Sequence, residues 1–267
     1  MIKVNSAVDG KDRMWIVMHQ LIDRNNWGHD VRPINILTFL GERINSGRKN
    51  NMFSLGMALE NKLAGVARSH RDFVSCVTAI GDVLPDPYIR SYIDEQNFMS
   101  SLECHLHTIY ASLEVVAEMN RIFTPNMPMG FREQSKKYPP FSFENREWLK
   151  HFYDLRTELT HYNTALPLLR QGKLYIEFQC GRQLEIYAKG PTEIEVQGVV
   201  HFFLQLLKLF DEWALEILKK LPDDGDIFVL KRAVFGEKPL FEKIPMNEFK
   251  AHFKSILPSK SIESDKH

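Results

Sequence analysis

An arginine and a histidine five positions apart, at the end of a segment with helical spacing, could do acid–base chemistry on a phosphate. The stretch D-L-R-T-E-L-T-H-Y-N, Asp154 to Asn163, holds such a pair in Arg156 and His161. An arginine stays charged and presents planar N–H groups to an oxyanion, whereas imidazole exchanges a proton near neutrality, so together they offer a fixed cation and a proton shuttle. Winding Glu144 to His161 as a helix places Trp148, Phe152, Leu155 and Leu159 on one side. Tyr153, Thr157, Thr160 and His161 fall on the other, with Arg156 at the edge between them. The first side is expected to face a core and the second to meet solvent or a partner chain. Thr157, one turn before His161, is placed to orient the imidazole, and Tyr153 is a second supporting residue on the same face.

Spacing alone does not single out this pair. The chain has ten His and fifteen Arg, and an arginine five or six positions before a histidine occurs four times, as Arg13/His19, Arg24/His29, Arg146/His151 and Arg156/His161. R-N-N-W-G-H, around Arg24 and His29, reads as a helix stop. Other constellations are weaker. In C-H-L-H, Cys104 and His107 can share a helix face but His105 cannot join them, so no metal site is expected there. Glu158 and His161 spell E-x-x-H, yet di-iron bundles need two such motifs and further carboxylates. No G-x-S-x-G, P-loop or dinucleotide fingerprint is present, and no cofactor is expected.

The elements that must position these residues are mostly helical. At 267 residues the chain can bury one substantial core, and Lys plus Arg (34) equals Asp plus Glu (34), so no global field draws in a polyanion. Any polyanion must be held by a local patch. Three scattered cysteines, Cys76, Cys104 and Cys180, fit a reducing compartment, and no apolar run approaches the ~20 residues of a membrane span. A cytoplasmic protein without a membrane segment is the expectation.

Helical spacing covers about 12–25, 33–45, 54–80 and 88–123, then 144–161 and 192–221. G-D-V-L-P-D-P stops the third of these, since prolines cannot continue a helix. A long loop from T-P-N-M-P-M-G through K-K-Y-P-P-F-S precedes Glu144, and loops of that length are often functional. K-L-Y-I-E-F (Lys173 to Phe178) and Q-L-E-I-Y (Gln183 to Tyr187) alternate apolar and polar around Q-C-G-R and read as a β-hairpin. Phe202, Phe203, Phe210 and Trp213 follow helical spacing and are expected in the core or a dimer interface. The expected organisation is an N-terminal helical part (1–85), a helical bundle (86–221) and a C-terminal extension (222–267) ending in a disordered tail.

From about Pro87 to Leu221 the chain resembles the HEPN superfamily, whose helical bundles carry Arg followed four to six residues later by His on a late helix. The likeness lies in N-F-M-S-S-L-E-C-H-L-H-T-I-Y-A-S-L-E, a loop, W-L-K-H-F-Y-D-L-R-T-E-L-T-H-Y and a closing apolar helix. Together with the spacing read above, the expected fold is mainly α: an up-and-down bundle with one β-hairpin insert, preceded by extra N-terminal helices. The resemblance also implies a homodimer paired through the motif helices, with Arg156 and His161 as catalytic residues of a metal-independent endoribonuclease acting on RNA. A toxin–antitoxin pairing with a nucleotidyltransferase-type antitoxin would follow for a catalytic member. Thr157 stands where many members carry Asn, Asp or His, which leaves a non-catalytic binding or regulatory module as the alternative. An unrelated structural bundle is a third reading.

Overall fold

The computed structural model describes residues 52–83, 92–124, 126–161, 164–179, 193–221, 224, 226–232 and 240–256. The helices expected at 12–25 and 33–45, the strand expected at Gln183–Tyr187 and the polar tail lie outside the described residues, as do the pairs Arg13/His19 and Arg24/His29. The fold is mainly α. Six helices are described: α1 (Met52–Val83), α2 (Tyr92–Phe123), α3 (Phe131–Ser135), α4 (Glu147–His161), α5 (Val196–Lys220) and α6 (Met246–Ile256). Five strands accompany them: β1 (Thr164–Arg170), β2 (Lys173–Gln179), β3 (Glu193–Glu195), β4 (Asp226–Arg232) and β5 (Leu240–Pro245). None of the described helices is long and apolar enough to cross a membrane.

The chain divides into two compact units, neither continuous in sequence. One takes Lys62–Glu114 and Met129–Lys208, and the other takes Val115–Pro128 with the described residues up to Asn61 and from Leu209 onward. In the first unit the apolar stripes at helical spacing are buried at Leu63, Val66 and Phe73 on α1, Phe98, Leu102, Leu106, Ile109 and Leu113 on α2, and Phe152, Leu155 and Leu159 on α4. Phe152 meets Phe202 of α5 edge to face at 5.7 Å, and Trp148 lies 6.2 Å from the same ring. Ser69 and Thr108 share a hydrogen bond of 2.7 Å between α1 and α2. Burying Phe152 and its apolar neighbours stabilises this packing by about 1.5–3 kcal/mol per side chain. In the second unit Trp213 is buried, donates its indole N–H to Asn120 Oδ1 at 3.1 Å and meets Phe123 edge to face at 6.2 Å. Phe202, Phe210 and Trp213 are thus core residues, and Phe203 is half-buried.

The β structure differs from expectation. Lys173–Gln179 is a strand, but its hairpin partner is the preceding T-A-L-P-L-L-R, with Arg170 opposite Lys173 and Thr164 opposite Gln179. Gln171 and Gly172 turn the chain with φ of 50° and 75°. Two consecutive positive φ values define the tight turn that matches strand twist, and Gly supplies one of them without strain. β3 adds to the other edge of β2, so T-E-I-E-V contributes a short strand and α5 begins only at Val196. A separate two-stranded sheet, β4 with β5, occurs within the expected C-terminal extension. The single expected hairpin is therefore a three-stranded and a two-stranded sheet. The long loop before Glu144 also contains the short helix α3, and the motif helix starts at Glu147 because Asn145 and Arg146 make turn bonds to Ser142 and Phe143.

Candidate functional site

Helix α4 carries Arg156 one residue beyond its most buried stripe, and α2 passes beside it with a polar face. Ser100, Glu103, Cys104, His107 and Thr108 recur at helical spacing along that face. Together with Leu106 of α2 and Arg156, Leu159 and Thr160 of α4 they line a groove of about 460 Å³. Glu103, Cys104, His107 and Thr160 are exposed, so the groove is open to water. His105, between Cys104 and Leu106, points into the core and is fully buried. The split within C-H-L-H follows the helical period: Cys104 and His107 share the groove face and His105 does not. No three-residue cluster of His, Cys, Asp or Glu able to hold a metal occurs among the described residues.

Arg156 is half-buried, and its guanidinium carbon lies over the ring of Tyr110 at 4.3 Å. Such a cation–π contact is worth about 0.5–2 kcal/mol, the more so as water is excluded. Its Nε is buried without a hydrogen-bond partner, and no carboxylate among the described residues pairs with the cation. A buried N–H without a partner is costly, so this cation carries an unmet hydrogen-bonding capacity beside the groove. The other described Arg/His pair behaves differently. Arg146 donates from Nε to the Pro140 carbonyl at 2.8 Å, and His151 is exposed 3.7 Å from Glu147, so both belong to local structure.

The supporting residues are not on a free surface. Tyr153 is half-buried among rings, 5.5 Å from Phe143, 6.3 Å from Phe131 and 6.5 Å from Tyr110. Thr157 is half-buried with its hydroxyl unpartnered and does not line the groove. The polar face of α4 is narrower than the helical wheel implies because the segment 131–143 folds over Tyr153. Neighbouring Glu158 is buried, and burial holds its carboxyl above the usual range; burial does the same for Asp154, against Lys150 and His151. His161 is the last residue of α4, five positions beyond Arg156, and its side chain lies outside what is described.

Sequence reasoning missed Tyr110 and the groove face of α2. The signal existed in the spacing of Glu103, His107, Tyr110 and Glu114, a stripe with steps of four, three and four beside the apolar one. What it could not give is the helix that stripe faces. No protein-family model, curated protein or solved structure matches the chain. The groove's chemistry is accordingly read from its own residues.

Proposed function

We propose that the protein is an HEPN-like RNA-binding domain whose Arg156 engages a phosphodiester in the groove between α2 and α4, with metal-independent cleavage at Arg156 and His161. The observation that carries this reading is Arg156 itself, stacked on Tyr110, its Nε unmatched, in the groove wall and on the helix that ends in His161. In such a reaction the ribose 2′-oxygen attacks the adjacent phosphorus, the O2′–P bond forms and the P–O5′ bond breaks. His161 takes the 2′ proton or returns one to the leaving 5′-oxygen, and Arg156 stabilises the charge gathering on the phosphorane. The residues required need no metal ligand set.

The experiment is cleavage of single-stranded RNA in the presence of EDTA. His161→Ala is expected to abolish it, and Arg156→Ala to lower it by ~10²–10³, the usual loss for one contact to a developing oxyanion. Unaltered cleavage by a folded His161→Ala protein removes the catalytic assignment. One observation favours the second reading, a non-catalytic binding module. Thr157, at the position next to the arginine, is turned away from the groove with its hydroxyl enclosed. Under that reading the wild type binds RNA without cutting it, and Arg156→Ala alone weakens binding.

A further inference from the structure

We propose that Tyr110 and Glu114 are positioning residues that hold the Arg156 guanidinium against the groove wall with its N–H edge toward an oxyanion; this rests on the reading of Arg156 as the anion-binding group. Four links make the argument. Phe131, the first residue of α3, donates its backbone N–H to Glu114 Oε2 at 3.0 Å. Phe131 in turn sets its ring edge to face against Tyr110, 5.8 Å away, and Glu114 stands one turn beyond Tyr110 on α2. Burial first, and Glu114 second, hold the Tyr110 hydroxyl well above its ordinary pKa, so it stays neutral throughout the working range. The Tyr110 ring, braced by Phe131, then offers its face to Arg156 at 4.3 Å.

The arrangement is built rather than incidental. Gly130 has φ of 76°, and a Cβ there would stand 3.3 Å from the same Glu114 oxygen, so the chain approaches the carboxylate closely where only glycine is comfortable. Phe131 meets Tyr110 edge to face at 5.8 Å, and Tyr153 closes the other side at 6.5 Å. A guanidinium left to itself samples many rotamers and must lose that freedom on binding. One already held against a ring has lost part of that freedom, and its N–H groups can match an oxyanion in two-point geometry. Electrostatic complementarity to a phosphate is thereby set before the ligand arrives.

The test reads Arg156 with and without RNA. In ¹⁵N-labelled protein the Arg156 Nε–H resonance, assigned by its loss in Arg156→Ala, is expected to be displaced upfield by the Tyr110 ring current. Tyr110→Leu should return it to the ordinary arginine region, and Tyr110→Phe should keep most of the displacement. Glu114→Gln, which leaves every ring in place, should reduce it by loosening the tether. A fluorescein-labelled single-stranded RNA followed by anisotropy should bind about tenfold more weakly to Tyr110→Leu, equivalent to about 1.4 kcal/mol, and nearly normally to Tyr110→Phe. An undisplaced wild-type resonance, or one unchanged in Glu114→Gln, overturns the positioning role. So does Tyr110→Leu binding RNA like the wild type while Arg156→Ala does not. If wild type and Arg156→Ala bind RNA alike, the RNA reading fails, and the resonance by itself decides whether Tyr110 and Glu114 hold the cation.

Discussion

His105 is a titratable side chain held entirely out of water. It is fully buried, neither ring nitrogen has a hydrogen-bond partner, and its ring stacks on Phe73 at 5.5 Å and lies 5.3 Å from His70. His70 is itself stacked on Phe203 at 4.4 Å. Burial first, and the charge of His70 second, hold the pKa of His105 down to about 3, and burial lowers that of His70. The unfolded chain therefore takes up a proton that the folded one refuses. Stability from His105 is full above about pH 6.5, declines as pH falls, by at most about 1.4 kcal/mol per unit, and levels off near pH 3. Asp154 and Glu158, with raised pKa values, act in the opposite sense around their own range. The contribution of His105 is thus isolated by difference. Urea denaturation at pH 7.5 and pH 5 should show a smaller loss of stability in His105→Phe than in the wild type. An equal loss in both would mean that the buried imidazole is not the proton-excluding group.

At the scale of elements, the turn into α3 is where sequence choice is most constrained. Gly130→Ala places a side chain at φ of 76° and brings it 3.3 Å from Glu114 Oε2. A loss of about 1–2 kcal/mol is expected from the strained backbone, read as a lower melting temperature, whereas Gly198→Ala on α5 meets open space and should be neutral or slightly stabilising. Helices were legible because their apolar stripes repeat over many turns, as from Phe98 to Val116. β1 was not, because T-A-L-P-L-L-R interrupts alternation with Pro167 and consecutive leucines. β4 was hidden for a related reason: I-F-V-L is a short apolar run that periodicity cannot assign to helix or strand. The candidate site was half legible. Arg156 came from residue type and spacing, while its backing by Tyr110 and its groove partners Glu103 and His107 depend on which helix faces which, a fact of packing that no local pattern carries.

At the scale of the whole molecule, equal numbers of acidic and basic residues leave binding to local features, and the expected homodimer would pair through the motif helix α4. Pairing through α4 has less polar surface to use than the helical wheel implied, with Tyr153 and Thr157 half-buried and Thr160 exposed. Light scattering at micromolar concentration is expected to give the mass of a dimer. A strictly monomeric protein would confine the chemistry to the groove within one chain, where Arg156 already stands with His107. That groove has one more property. Cys104 is an exposed free thiol in its wall, Cys76 is half-buried on α1, and the chain's third cysteine is Cys180. A maleimide dye placed on Cys104, in a Cys180→Ser background, would sit at the rim without altering Arg156, Tyr110 or Glu114. The protein thus carries its own attachment point for an optical sensor of whatever enters the groove, and candidate ligands can be screened before any activity is in hand.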